Sequence, residues 1–499
     1  MMPVVVRGFA VFGLAAVSYG QFGAGTGWST SANDAQRTSW VRTDPKISRA
    51  SVAAPGFDLV WKVKLKNETI QASPLSAPVL LDRYIGYRGF RTYAFVGSSS
   101  GAAFALDTDL GRIEWEKRFE GSSTGGSATC PGGMTAGLVR PANSALASDT
   151  GARYGGMGGR GVAARSGVGE PLEGAVTLAQ VMAAPPPPPR PMPTATPGRP
   201  GGFQRLPSWL YALSGDGAFH SMYVANGQEP QPPIKFLGPN ANVSDLSVVD
   251  GVAYATTSND CGGVPNGVWA LDLTTNAVTN WKGVVGGDGE VAFGASSSPR
   301  LTSQSQLITL DPKTMGVQSS YDAGKTFTTS PIIFPYKTKV VVGAATEDGV
   351  VHVIDTVSPT SVIAKSAAGE PRPYALATWE DAGETRWIIV TSAKSITAWK
   401  MVEQGGEPTL EQAWTSREVQ LAASPLIING VLFALQRGDR QSNSVLYALD
   451  AATGKPLWNS GKVVSSFVPK GGGLAAGGSS IYFGTEDGTL WDFGFPIEH

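Results

Sequence analysis

The stretch that decides the fold is Leu446-Tyr447-Ala448-Leu449-Asp450-Ala451-Ala452-Thr453-Gly454-Lys455-Pro456-Leu457-Trp458. An apolar run ends at an aspartate, a short polar turn follows, glycine closes it and a tryptophan stands on the far side. Asp and Thr side chains bond backbone groups in such turns, and glycine supplies the positive φ needed to enter the next strand. A second copy, Phe104-Ala105-Leu106-Asp107-Thr108-Asp109-Leu110-Gly111-Arg112-Ile113-Glu114-Trp115, keeps Ala105, Asp107, Gly111 and Trp115 at the same spacing. A third runs through Ala270, Asp272 and Asn276 and reaches Trp281 one residue late. Weaker copies surround Ala212, Asp311, Asp355, Trp399 and Asp492.

Each copy follows the same order of features: a Ser-Pro or similar entry, a β-branched run, a turn and a second apolar run ending near glycine. Ser330-Pro331-Ile332-Ile333-Phe334 leads through Val340-Val341-Val342-Gly343 to Val350-Val351-His352-Val353-Ile354-Asp355, and Ser424-Pro425-Leu426-Ile427-Ile428 leads to Val431-Leu432-Phe433-Ala434. That order amounts to four short strands per unit. Reference positions 272, 311, 355, 399, 450 and 492 are separated by 39, 44, 44, 51 and 42 residues, the length of a propeller blade. Helical solenoids share this period, but glycine-punctuated β-branched runs do not suit them. A closing indole suits the wedge between radially arranged sheets. Trp61, Trp115, Trp281, Trp414 and Trp458 take that place, with Phe236, Tyr321 and Ile363 as stand-ins. The last unit ends before any outer strand, whereas Phe57 to Leu65 is an outer-strand sequence without a unit. The expected fold is therefore all-β: an eight-bladed β-propeller of four-stranded antiparallel blades over 57–497, its ring closed by an N-terminal strand pairing with the C-terminal blade, which removes two exposed edges.

Composition sets bounds on function. Lys+Arg 39 against Asp+Glu 40 leaves the 499 residues nearly neutral, so no global charge points at nucleic acid. Gly 63 and Pro 35 mark a turn-rich chain, while 42 % hydrophobic content supports a large core. Residues 1–20 place Arg7 before an apolar run from Gly8 to Val17 and small residues at Ser18 and Gly20, the order of a secretory signal. No later stretch is long and apolar enough to span a bilayer, so the mature chain is expected to be secreted or periplasmic, preceded by an extension over 21–56. Cys130 and Cys261 each lie in a Gly-rich turn. Export favours a disulfide between them over two free thiols, meeting between the second and third blades at the base of an insertion. That insertion, 141–206, is Gly- and Pro-rich within blade 2; leaving it out brings the step from Asp107 to Ser214 down to 41 residues. It reads as a solvated excursion.

Chemistry-bearing motifs are sparse. His220, His352 and His499 have no zinc-like spacing, and His352 sits in an apolar strand as a satisfied buried residue. Asp107-x-Asp109 and Ser214-Gly215-Asp216-Gly217 resemble calcium-loop fragments but belong to the repeat as turns. No nucleophile elbow, phosphate loop or dinucleotide fingerprint is present in context.

The Ala-x-Asp-x-x-Thr-Gly-x-x-x-Trp phrase, complete at Ala448 to Trp458, resembles the repeat of the pyrroloquinoline-quinone (PQQ) propeller superfamily, which includes quinoprotein alcohol dehydrogenases and an outer-membrane assembly lipoprotein. The dehydrogenase branch implies a quinone held between a tryptophan and a disulfide of adjacent cysteines, with calcium on acidic and amide side chains. The sequence has no adjacent cysteines, and no motif-matching residue marks the calcium ligands. The lipoprotein branch implies a lipid-bearing cysteine, which is missing near the end of the leader. The expected function is accordingly a non-catalytic binding or scaffold module of the cell envelope, acting as a monomer without cofactor on envelope or extracellular proteins, or on a glycan or peptide. The alternative is a quinoprotein oxidoreductase of alcohols or sugars using PQQ with calcium.

Overall fold

Runs such as Ala102–Asp107, Arg386–Thr391 and Thr489–Gly494 are buried at every position, because a blade's inner strands are covered by neighbouring blades on both faces. Outer strands such as Arg112–Arg118 mix half-buried and exposed positions, with none fully buried. The computed structural model describes residues 27–65, 74–86, 89–119, 126–146 and 208–496. The expected signal at 1–20 and residues 147–206 of the expected insertion lie outside them. The described residues form one unit of eight sheets, an eight-bladed propeller.

Blade 1 comprises Val79–Gly86, Gly89–Ser98, Ala102–Asp107 and Arg112–Arg118, in that order from the centre outward. Blades 3 to 7 repeat this plan, ending with Leu426–Ile428, Val431–Gln436, Val445–Asp450 and Pro456–Asn459 in blade 7. Blade 8 takes Ala475–Gly477, Ser480–Gly484 and Thr489–Gly494 from the C-terminal region and its outer strand, Asp58–Lys64, from the N-terminal one. The two ends of the ring are thus joined antiparallel, with Trp61 opposite Asp492. Blade 2 has three regular strands, Trp209–Leu213, Ala218–Tyr223 and Ile234–Lys235, with Val139 bridged to Tyr211 in the inner place. Pro141–Ala142 then pairs parallel with the inner strand of blade 3. Residues 141–146, assigned to the insertion by composition, are therefore part of the described fold: Gln36 Nε2 donates to Ser144 O at 3.0 Å, and Leu146 packs against the core between blades 4 and 5.

The repeat phrase makes the joint between blades. Trp61 Nε1 donates to Thr108 O at 2.7 Å, Trp115 Nε1 to Val224 O at 2.9 Å and Trp414 Nε1 to Ala451 O at 3.1 Å. In each case the indole lies on the glycine of the next blade's outer hairpin, Gly111, Gly227 or Gly454, with φ of +58°, +67° and +70°. A Cβ at these glycines would fall within 2.7, 2.7 and 2.5 Å of the ring, so only glycine both reaches this conformation and admits the indole. Asp450 Oδ1 accepts from the N–H groups of Ala452 at 2.9 Å and Thr453 at 3.1 Å; Asp272 and Asp311 repeat the turn, and Asp107 and Asp355 each accept one such bond.

Several sequence alignments shift in the structure. Blade 2's outer hairpin is Tyr223 to Gly227, not the turn after Ala212, which joins its second and third strands. In blade 8, Asp492 holds the place of Ala448 and Gly494 that of Asp450. Trp281 stands opposite Val268, whereas Trp115, Trp414 and Trp458 stand opposite Ala105, Ala398 and Ala448. Blade 5 offers Ala364 at that register, and the wedge is filled by Trp399 and Leu410 of blade 6.

Candidate functional site

The centre of the ring is occupied by the chain itself. Inner-strand N–H groups of Leu80, Arg140, Phe293, Ile333, Thr378 and Ile427, in blades 1, 2, 4, 5, 6 and 7, donate to the carbonyls of Trp28, Ser29, Ala35, Gln36, Thr38 and Ser39 at 2.8–3.0 Å. Trp40–Val41 then runs parallel to Ile427 and Ile428. The segment therefore circles the channel wall, satisfying backbone donors that a polar channel would otherwise leave to water. Trp28, Thr30, Ala32 and residues 35–39 of the segment are buried, Trp28 and Ser39 at 1 % exposure, and the others are half-buried. Asn33, Arg37 and Ser39 are left-handed (φ +80°, +63° and +52°), a conformation retained where surrounding contacts over-determine it.

Arg37 is the charged centre of this plug. Its guanidinium pairs with Glu290, donates to Ser31 Oγ at 3.3 Å, and is surrounded by Asp34, Asp245 and Asp288. Ser31 Oγ also donates to Glu290 Oε1 at 2.8 Å. Burial pushes the carboxyls of Asp34 and Asp245 up; Thr38 N–H and Oγ1–H, bonding Asp34, and the Arg37 charge beside Asp245 oppose this. Sequence reasoning missed these residues, since 27–41 carries no copy of the repeat and Glu290 lies in the connection between blades 3 and 4.

A second polar group has the outline of a nucleophile, base and acid. Ser214 Oγ is 2.9 Å from His220 Nε2, and His220 Nδ1 is 2.6 Å from Glu229 Oε1. Blades 5 and 8 show what it is. Thr346 Oγ1 meets His352 Nε2 at 3.4 Å, and Trp491 Nε1 donates to Thr485 Oγ1 at 3.1 Å, each spanning an Asp-Gly turn whose glycine has φ of +79°. The hydroxyl ties the third strand to the turn before it. Ser214, at 4 % exposure and also bonded to Asp216 and Ala218 O, is a turn anchor. His352, bonded by Tyr321 Oη at 3.1 Å, is pulled down to about 4 by burial.

Cys130 and Cys261 are joined in a disulfide, Cα atoms 5.5 Å apart. Cys130 lies in the connection from blade 1 to blade 2 and Cys261 in the turn between the second and third strands of blade 3, on the same end of the ring. The residues flanking 147–207 connect the first and second strands of blade 2, on the opposite end, so the bridge does not pin the base of the insertion. On the disulfide's end, a cleft of about 560 Å³ opens between blades 5 and 6, with Ser395 and Thr397 at its floor and Glu370, Gln412, Thr415 and Arg417 around it.

No protein-family model matches the chain, and no curated protein matches it. Solved structures do. It is similar to the quinohemoprotein alcohol dehydrogenase of Comamonas testosteroni (12 % identity, TM-score 0.57, covering 95 % of this chain and 81 % of that one). It is similar also to a europium-containing methanol dehydrogenase (11 %, TM-score 0.55, 94 % and 98 %). BamB from Moraxella catarrhalis matches at 11 % identity and TM-score 0.49, over 88 % and 100 %. In architecture the chain is an eight-bladed propeller. At these identities the likeness is one of fold.

The quinone and calcium site implied by the sequence resemblance does not fit the residues present. Cys130 and Cys261 are 131 residues apart and bridge two blade connections; the channel is filled by 27–41 with Arg37 as its cation. Among the described residues, no three His, Cys, Asp or Glu side chains are grouped to hold a metal ion.

Proposed function

We propose that this chain is an exported propeller that works without catalysis, as a binding or scaffold module in the cell envelope or outside it. The observation that carries this reading is the plug. A channel whose wall donors are satisfied by residues 28–39 of the same chain has its polar centre committed to holding the fold together. The surfaces left for recognition are the loops at the two ends of the ring, including the polar cleft between blades 5 and 6. Its hydroxyls, its amide and the opposite charges of Glu370 and Arg417 suit a polar ligand such as a peptide or glycan.

The test is to add PQQ with calcium to the purified mature protein and record quinone absorbance, melting temperature and dye reduction with alcohols or sugars. No change in all three is the expected result. A bound-quinone spectrum with dye reduction overturns the reading in favour of an oxidoreductase. Fractionation of the source cells, with crosslinking of the intact envelope, then asks whether the chain is exported and held beside a protein partner. Recovery from the cytoplasm removes the envelope role.

A further inference from the structure

The cleft between blades 5 and 6 is bordered by opposite charges from the two connections that flank blade 6. Glu370 stands in the connection that enters the blade and Arg417 in the one that leaves it, on the same end of the ring. Arg417 is exposed, and its guanidinium meets no acceptor among the described residues. Glu370 meets Lys394 at 3.9 Å, a lysine whose side chain is 78 % exposed, and a surface pair of that kind holds little energy. Its carboxylate is thus open to another cation. Gln412 and Thr415 belong to Glu407–Ser416, the outer strand that leads into Arg417. Gln412 Nε2 donates to Thr415 Oγ1 at 3.1 Å, and Thr415 Oγ1 lies 3.2 Å from Thr397 Oγ1. Two hydroxyl hydrogens meet in one contact there, so one hydroxyl is left to donate elsewhere, as is the second amide hydrogen of Gln412. Ser395 Oγ is taken up by Ser392 Oγ at 3.2 Å.

The outer strand and its exit therefore gather donors around a cation, while the connection from blade 5 presents a carboxylate. A neutral glycan would cover Arg417 and Glu370 without pairing either, and desolvating an unpaired charge is unfavourable. A ligand with a charge of each sign satisfies both. The cleft's volume of about 560 Å³ falls within the range of small-ligand sites, roughly 300–1,000 Å³. We propose that this cleft binds an amphoteric ligand, a free amino acid or a short peptide with both ends unblocked. Its carboxylate lies on the fork of Arg417, with the donors of Gln412 and Thr415 beside it, and its ammonium on Glu370. The inference rests on the reading of the cleft as a recognition surface and names the chemistry recognised there.

The experiment titrates the full mature protein at neutral pH with alanine, dialanine and trialanine, with the N-acetyl and C-amide forms of each, and with a neutral oligosaccharide, following calorimetric heat and melting temperature. At least one unblocked form is expected to bind and to raise the melting temperature. The tightest of the three tells a free amino acid from a peptide. Blocking either end should weaken binding at least tenfold, a test of both contacts that leaves the protein unaltered. Arg417→Met should lose at least tenfold in affinity for the unblocked form, and Glu370→Gln should remove the penalty for N-acetylation. Both side chains lie at the surface, so the unliganded variants should melt with the parent. The proposal is overturned if no unblocked form binds, if blocked forms bind equally well, or if Arg417→Met binds as the parent does. Binding of the oligosaccharide alone also overturns it, yet leaves the cleft as a recognition surface, so the two readings fail separately.

Discussion

At the residue scale, the glycine of the repeat is held by two independent constraints, its left-handed φ and the indole lying on it. Gly454→Ala should therefore cost about 2–4 kcal/mol, the sum of a left-handed backbone penalty and overpacking, read as a fall in denaturant midpoint. An alanine placed at exposed Gly461, which is left-handed but has nothing within 4 Å, should cost only the first part. His352 makes a pH prediction with a definite sign. Its folded pKa of about 4 lies below the unfolded value of roughly 6.5, so the unfolded chain binds the extra proton first. Its contribution is fully present above about pH 6.5 and is lost as pH falls toward 4, about 3 kcal/mol across that window. Thermal melts across this range should show a smaller decline in His352→Gln than in the parent. An equal decline would show that His352 is not the group titrating.

At the element scale, hairpins and connections were legible in the sequence to different degrees. The outer hairpin at Asp450 to Gly454 was clear, because Asp, Thr and Gly each act within the turn. The hairpin Tyr223 to Gly227 was not: it lacks the aspartate, and nearby Ser214-Gly215-Asp216-Gly217 imitates the phrase while serving a different turn. Which blade supplies an indole was also hidden, as Trp399 filling the gap beside Ala364 depends on the facing blade. The disulfide joins two connections across a sequence separation of 131 residues. Cys130→Ser with Cys261→Ser should lose about 2–5 kcal/mol, and labelling of the unreduced parent should find no free thiol.

At the scale of the whole molecule, the plug and the strand beyond it couple the N-terminal region to every blade except the third by hydrogen bonds, and to the third through the Arg37 charge beside Asp245. Arg37→Met would leave the carboxylates of Glu290 and Asp245 buried without their cation, at a cost of about 3–5 kcal/mol. The combined Arg37→Met, Glu290→Gln variant should recover part of that loss in a double-mutant cycle. Removing residues 27–41 while retaining 42–499 should abolish hydrogen-exchange protection at Leu80, Phe293, Ile333, Thr378 and Ile427. Protection unchanged at these amides would mean that the segment does not line the channel in solution.

The sequence by itself determined the blade, the number of blades and the closure of the ring, because these rest on local turn chemistry, a regular period and an outer strand left without its unit. Tertiary structure alone decided what fills the ring. Arg37 and Glu290 stand 253 residues apart, neither belongs to the repeat, and their pairing exists only because eight blades bring the inner strands around one axis.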